Sequence, residues 1–100
     1  MVVKLPIPIS QIEAFCRRWQ IRELSLFGSI LRKDFGPDSD IDVLVVFEDG
    51  AAPGLEAWLD MHDELRAMFG RDVDLVEKQR PQNPYRRHHI LTNRQIVYGA

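Results

Sequence analysis

The stretch LFGSILRKDFGPDSDIDVLVVF, residues 26–47, decides the fold of this chain. An apolar segment ends at Gly28, a loop dense in Gly, Pro, Asp and Ser follows, and the stretch closes with DIDVLVVF. The second half of DIDVLVVF (Asp40–Phe47) is apolar at every position, which is typical of a strand buried in the middle of a sheet. Ser29 is a favourable N-cap residue and predicts a short helix from Ile30 to about Lys33.

The flanking sequence adds helices and further strands. Ser10 and Glu13 form a capping-box pattern that predicts a helix to about Gln20. The other predicted elements are strands at Ile21–Phe27 and Arg71–Glu77, helices at Leu55–Phe69 with Gly70 as C-cap and at about Pro84–Thr92, and a short strand or tail at Gln95–Tyr98. This order predicts one α/β (α+β) domain, residues 1–100, with helices flanking a small mixed β-sheet.

Composition narrows the class of protein. Hydrophobic residues make up 45% and charged residues 28% of the chain, as in ordinary globular domains. The net charge of −2 argues against a dedicated nucleic-acid-binding domain, which is usually strongly basic. No apolar run approaches the ~18 residues of a membrane span and no signal peptide is recognisable, so we expect a cytoplasmic protein. The single cysteine, Cys16, is expected in the core, with a catalytic thiol as the alternative.

Asp40 and Asp42 stand two residues apart at the start of the central strand. Residues i and i+2 of a strand share a face and lie about 6.6 Å apart along it. Two anions at this spacing repel each other unless a cation lies between them, and a Mg²⁺ ion that also binds substrate phosphates is the usual solution. The alternative is that both residues only begin a strand at a solvated turn.

A third carboxylate would complete a site for two metal ions, which stabilise the attacking and leaving oxygens of an in-line displacement. The predicted strand Arg71–Glu77 offers Asp72 and Asp74 on one face. Asp74 lies deeper, between apolar residues, and is favoured as the base or as a metal ligand. Asp72 is expected to be a charge at the start of the strand.

Gly28 and Ser29 come where the first strand ends. Backbone N–H groups at the start of a helix suit an anion, and glycine has no side chain that would hinder phosphates. The Ser29 hydroxyl can donate to one of them. Gly-Ser alone is a common turn, so its position directly before the Asp-x-Asp strand is what predicts a phosphate site.

Together these residues resemble the signature of the DNA polymerase β-type nucleotidyltransferases: Gly-Ser, ten residues, then Asp-x-Asp. Within that superfamily the chain is most similar to the minimal nucleotidyltransferases of the MntA-like antitoxin group. VDLVEKQRPQNPYRRHHIL, residues 73–91, is similar to their V-D-L-V strand and the helix that follows it. The resemblance extends from about Ile12 to Tyr98 and implies a nucleotidyltransferase fold like the polymerase β palm.

The resemblance implies a reaction and a site. The reaction is transfer of a nucleoside monophosphate, usually AMP from ATP, to a hydroxyl with release of pyrophosphate. The resemblance implies that Asp40, Asp42 and Asp74 are the catalytic residues and the ligands of two Mg²⁺ ions. It also implies that Gly28 and Ser29 bind phosphate. Arg32 matches a basic position of the signature and could reach a phosphate, or is a surface arginine. Leu31 and Lys33 depart from the small residues frequent there, which could alter the pocket wall.

A partner protein is also implied by the resemblance. Such domains pair with HEPN-domain toxins, which are small helical ribonucleases, and neutralise them by adenylylating a tyrosine. The chain lacks the substrate-binding domain of antibiotic- and tRNA-modifying relatives, so we expect a partner to present the acceptor. The surface around Trp58 is a candidate docking site, with core packing as the alternative. Homo- and hetero-oligomers are both open.

Other features leave alternatives. The basic segment Lys78–Arg94 could meet the triphosphate, RNA or an acidic partner, or be a solvated helix face. His88 and His89 are adjacent and make a poor joint metal site. Two other functions fit the sequence: an antitoxin that only masks its toxin, and transfer to a small molecule or an RNA end. The intact carboxylates argue against the first, and the missing acceptor domain argues against the second.

Overall fold

Two antiparallel strands form the centre of the sheet. Strand β1 runs Ile21–Phe27, as predicted, and β2 runs Ile41–Phe47, one residue shorter than predicted. They pair from Ile21 opposite Phe47 to Phe27 opposite Asp42. The structure is a computed structural model. It describes residues 7–31, 36, 39–78 and 93–99, without the side chain of Ser29.

Two outer strands complete a mixed sheet. Strand β3, Val73–Glu77, pairs parallel with β2, and β4, Arg94–Tyr98, pairs antiparallel with β1. The four strands lie in the order β3-β2-β1-β4, which confirms the predicted mixed sheet. The sequence left Gln95–Tyr98 open between a short strand and a tail, and the structure shows that these residues belong to strand β4. The helix predicted at about Pro84–Thr92 lies outside the described residues.

Helix α1, Ile9–Arg18, begins and ends earlier than the sequence predicts. Pro8 occupies the N-cap and no side chain caps the helix, so the capping-box prediction is wrong. The reason is that Ser10 lies inside the first turn, where its hydroxyl is no longer at the N-cap. At the other end the backbone turns away through Gln20, whose φ of 56° is left-handed.

Two of the short-range predictions around the first turn are also wrong. A 3₁₀ helix occupies Gly28–Leu31, so it starts two residues before the predicted helix. Ser29 is therefore its second residue and not its N-cap. Residues 32–35 lie outside the described part of the chain, so the predicted end of this helix is not tested.

Helix α2 has the predicted bounds, Leu55–Phe69, and Gly70 ends it in the left-handed conformation. The sequence predicts its apolar face from residues at helical spacing: Leu55, Trp58, Leu59, His62, Leu65, Met68 and Phe69. The structure buries Leu65 together with Met61, which is not in that set, and leaves Leu59 53% exposed. Residues two apart on a helix point about 200° apart, so burial of Met61 turns Leu59 toward solvent.

The core lies between the helices and one face of the sheet. Its buried members come from both helices and from alternate positions of β1 and β2, and they include Ile12, Phe15, Cys16, Leu24, Leu26, Ile41, Val43, Val45, Phe47, Met61 and Leu65. Trp58 packs against this core, with its ring centroid 6.4 Å from that of Phe47. This contact confirms Trp58 as a packing residue.

Cys16 is fully buried in this core. Burial disfavours the thiolate and raises the pKa of the Cys16 thiol to about 12. The thiol therefore stays protonated at neutral pH, which confirms a core residue and excludes a catalytic nucleophile.

Of the helices in the described part of the chain, none is both long and apolar enough to cross a membrane.

We predict that Leu65→Ala lowers the free energy of unfolding by about 2–5 kcal/mol, because it opens a cavity in the core. Leu59→Ala on the exposed side of the same helix is the matched control and should change it by less than about 0.5 kcal/mol. Urea unfolding followed by circular dichroism measures both. Equal effects of the two variants would contradict the assignment of the buried face.

Candidate functional site

Gly28 and Asp42 meet where the β1–β2 pair ends. Phe27 stands opposite Asp42, so the turn that begins at Gly28 passes directly beside the Asp42 carboxylate. A Cβ atom added to Gly28 would overlap Asp42 Oδ2 and lie 2.9 Å from Asp42 Cγ. Gly28 also has a φ of +73°, a left-handed conformation that favours glycine. Glycine is therefore required here both by backbone conformation and by space.

Asp74 joins this pair from the neighbouring strand. In the parallel register of β2 and β3, Asp74 stands directly opposite Asp42. Neighbouring strands are about 4.8 Å apart, and directly paired residues point to the same face. This is the face away from the helices, since Leu44, two residues after Asp42, packs with Phe27 and Val76 outside the main core. Both carboxylates are half-buried.

Asp40 and Asp72 lie just before strands β2 and β3. Asp40 is exposed and precedes the first strand residue by one position. The Asp72 side chain is 72% exposed and its Oδ1 lies 3.2 Å from Arg66 Nη2 in an ion pair. This surface ion pair agrees with the prediction that Asp72 is a charge at the start of a strand.

The structure thus brings together Gly28, Asp42 and Asp74. Within residues 7–31, 36, 39–78 and 93–99, no three Asp, Glu, His or Cys side chains converge as a metal-binding group. Convergence of Asp40 on the other two carboxylates therefore stays a prediction. Arg32 and the side chain of Ser29 lie outside what the structure describes, although the Ser29 backbone belongs to the 3₁₀ helix beside the carboxylates.

The sequence did not indicate how the loop before Asp40 is anchored. Arg71 Nη1 donates hydrogen bonds of 3.1 Å to the carbonyl oxygens of both Gly36 and Ser39. The Ser39 hydroxyl in turn accepts a hydrogen bond of 3.0 Å from the Gly36 N–H. Arg71 therefore ties the loop that precedes Asp40 to the start of β3. These contacts span more than thirty residues of sequence, and no local pattern encodes them.

The donor set suits a hard divalent cation. Carboxylate oxygens are the ligands that Mg²⁺ prefers, and it keeps coordination positions for phosphate oxygens. Asp42 and Asp74 would hold such an ion, and the Gly28 turn, which packs against Asp42, would place its backbone beside a phosphate bound to that ion. The chemistry that this arrangement allows is binding of a nucleotide triphosphate and displacement at one of its phosphorus atoms.

Comparison with known proteins identifies the family of the chain. The family model of the nucleotidyltransferase domain matches residues 9–97. The protein adenylyltransferase MntA of Thermococcus cleftensis is 41% identical over 61 residues, which are 61% of this chain and 60% of that protein. The chain thus matches less than two thirds of the length of this relative.

Solved structures share the fold. A toxin-antitoxin crystal structure with AMP-PNP has a TM-score of 0.76 and 22% identity, covering 94% of this chain and 75% of that chain. A complex of a tri-AMPylated HEPN toxin from Shewanella oneidensis with its MNT antitoxin has a TM-score of 0.67 and 22% identity, covering 92% and 70%. These likenesses confirm a minimal nucleotidyltransferase fold.

We predict that Gly28→Ala destabilises the protein more than Gly50→Ala does. Both glycines have a left-handed φ, so each alanine costs about 1–2 kcal/mol in backbone strain. A Cβ at Gly50 meets nothing within 4 Å, whereas one at Gly28 collides with Asp42. The collision should add about 1–3 kcal/mol in urea unfolding. Equal losses in the free energy of unfolding would show that the Gly28 turn does not pack closely against the Asp42 carboxylate.

Proposed function

Because this chain belongs to the nucleotidyltransferase domain family, we propose that it transfers AMP from ATP to a hydroxyl of a HEPN-domain toxin and so acts as the antitoxin. The observation that carries the proposal is the packing of the Gly28 turn onto Asp42, with Asp74 beside it in register. Two carboxylates suit a Mg²⁺ ion that also binds phosphate oxygens, and the backbone N–H groups of the adjacent turn suit the phosphates themselves.

The choice of a protein acceptor rests on relatives. A relative that is 41% identical in the matched part is a protein adenylyltransferase. One protein of the same fold is an antitoxin in complex with an AMPylated HEPN toxin. We extend both properties to this chain, with a tyrosine hydroxyl of the toxin as the acceptor.

Each site residue has a proposed role. Asp42 and Asp74, together with Asp40, would hold two magnesium ions, which would neutralise charge on the triphosphate. The Gly28–Ser29 backbone binds phosphate oxygens through its N–H groups, and Arg32 adds a positive charge to them.

The transfer forms one bond and breaks another. The acceptor oxygen forms a bond to the α-phosphorus of ATP, and the bond from that phosphorus to the bridging oxygen of pyrophosphate breaks. The acceptor proton goes to Asp74 where that carboxylate serves as the base, and to solvent water where Asp74 serves only as a metal ligand. Pyrophosphate leaves as the second product, so every atom of ATP is accounted for.

We predict that Asp74→Asn lowers AMP transfer at least about 10²-fold, as expected for loss of a base or a metal-binding charge. Asp72→Asn, two residues earlier and exposed, is the matched control and should transfer AMP at close to the wild-type rate. The measurement is incorporation of label from α-³²P-ATP into purified toxin with Mg²⁺, with an EDTA-treated reaction as the blank.

Two results would contradict the proposal. Absence of label in the toxin with the wild-type chain, under conditions where ATP is bound, would exclude transfer to that partner. Full neutralisation of the toxin by a folded Asp42→Asn/Asp74→Asn variant would instead favour an antitoxin that acts by masking.

A further inference from the structure

Arg94 lies in the same row of the sheet as the two paired carboxylates. It begins β4 and stands opposite Phe27 of β1, and Phe27 stands opposite Asp42 of β2. Asp42 in turn stands opposite Asp74 of β3. Directly paired residues share a face, so one row across all four strands carries a cation at one end and two anions at the other.

The Arg94 side chain forms an ion pair that is largely removed from solvent. Arg94 Nη1 lies 2.7 Å from Glu23 Oε1, and the two side chains are only 18% and 15% exposed. The pair between Arg17 and Glu13, by contrast, has side chains that are 67% and 43% exposed. A shielded pair depends on its geometry, because losing one partner leaves the other as an uncompensated buried charge.

This ion pair spans an irregularity in the pairing of β1 with β4. The register shifts between Leu24 and Ser25, as at a β-bulge. The Arg94 backbone pairs with Phe27 on one side of the shift, while its side chain binds Glu23 on the other side. Bulges interrupt ladder hydrogen bonds and allow a strand to bend. Because β1 keeps a regular register with β2 from Glu23 to Phe27, the irregularity concerns only β4, and the ion pair joins β4 to β1 across it.

The end of β1 also sets the position of the phosphate-binding turn. Gly28 follows Phe27 directly, and its Cα is so close to the Asp42 carboxylate that no Cβ fits between them. A small displacement of the end of β1 would therefore change the space between the turn and the carboxylate. The proposed nucleotide phosphate and its metal would have to lie beside this contact, so their fit depends on how closely the turn approaches the carboxylate.

We propose that the Glu23–Arg94 ion pair is a positioning element that fixes the end of β1, and with it the Gly28 turn, against Asp42. Its effect on AMP transfer rests on the proposed function, whereas its effect on the turn does not. Glu23 and Arg94 act through the turn, and neither of them needs to touch the nucleotide.

The test uses the full chain with Glu23→Gln, Arg94→Gln and the double variant. We expect each single variant to weaken binding of AMP-PNP with Mg²⁺ about tenfold in calorimetry and to speed amide hydrogen exchange at residues 28–31, because one charge stays buried without its partner. The double variant should return to within about threefold of wild type, because two neutral amides can bond to each other without a buried charge. Arg17→Gln, in the exposed pair, is the matched control and should change neither quantity.

Three outcomes would overturn the positioning role. One is wild-type binding and exchange in both single variants. A second is a loss confined to Arg94→Gln and undiminished in the double variant, since that pattern means that Arg94 binds the nucleotide directly. The third applies if the single variants do not fold. Glu23→Asp and Arg94→Lys, which keep the charges but cannot reproduce the contact of 2.7 Å, then replace them, and unchanged exchange at residues 28–31 in both excludes the role.

The same experiment separates this inference from the proposed function. A wild-type chain that binds AMP-PNP but labels no toxin refutes the proposed function, while the binding and exchange data still decide the positioning role. If the wild-type chain does not bind AMP-PNP, hydrogen exchange at residues 28–31 alone decides whether the Glu23–Arg94 ion pair positions the turn. If transfer is active, the single variants should raise KM for ATP about tenfold and change kcat less, because the defect lies in the phosphate-binding turn.

Discussion

The close packing of Gly28 against the Asp42 carboxylate is the constraint on which the rest of the site depends. It requires that β1 end opposite Asp42, the second residue of β2. The antiparallel register meets this requirement by placing Phe27, the last residue of β1, opposite Asp42. It also requires a left-handed residue without a side chain between the strand and the 3₁₀ helix. Strand register, turn conformation and carboxylate position are therefore set together, and a change in any one of them displaces the other two.

The main core and the paired carboxylates lie on opposite faces of the sheet. Alternation along β2 sends Ile41, Val43 and Val45 into the core beneath the helices. The intervening positions include Asp42 and Leu44 on the other face, where the apolar cluster is small. Leu44 and Val46 on that face are buried as well, so Asp42, near the start of the strand, is the one half-buried residue of β2. The polar site therefore lies near the start of the central strand, and the rest of that strand is buried.

Sequence patterns predicted the features that depend on local periodicity and on residue type. The bounds of β1 and α2, the left-handed Gly70 and the mixed sheet all follow from hydrophobic spacing and turn residues. The start of α1 was missed because Pro8 displaced the capping serine, and the exposure of Leu59 was missed because its side of the helix was assigned by hydrophobicity alone. The contacts of Arg71 could not be predicted, since they join residues far apart in sequence.

The crossover from β2 to β3 shows that the helical layer is also part of the site. Asp74 reaches Asp42 only because β3 pairs parallel with β2, and a parallel pair needs a long connection, here α2. His62 in the middle of α2 donates a hydrogen bond to the Val73 carbonyl oxygen, one residue before Asp74. Burial of Met61 and Leu65 fixes the helix to the sheet, and His62 transmits that position to the start of β3. The register of the two carboxylates is thus set by packing on the opposite face of the sheet, so core and site cannot be altered independently.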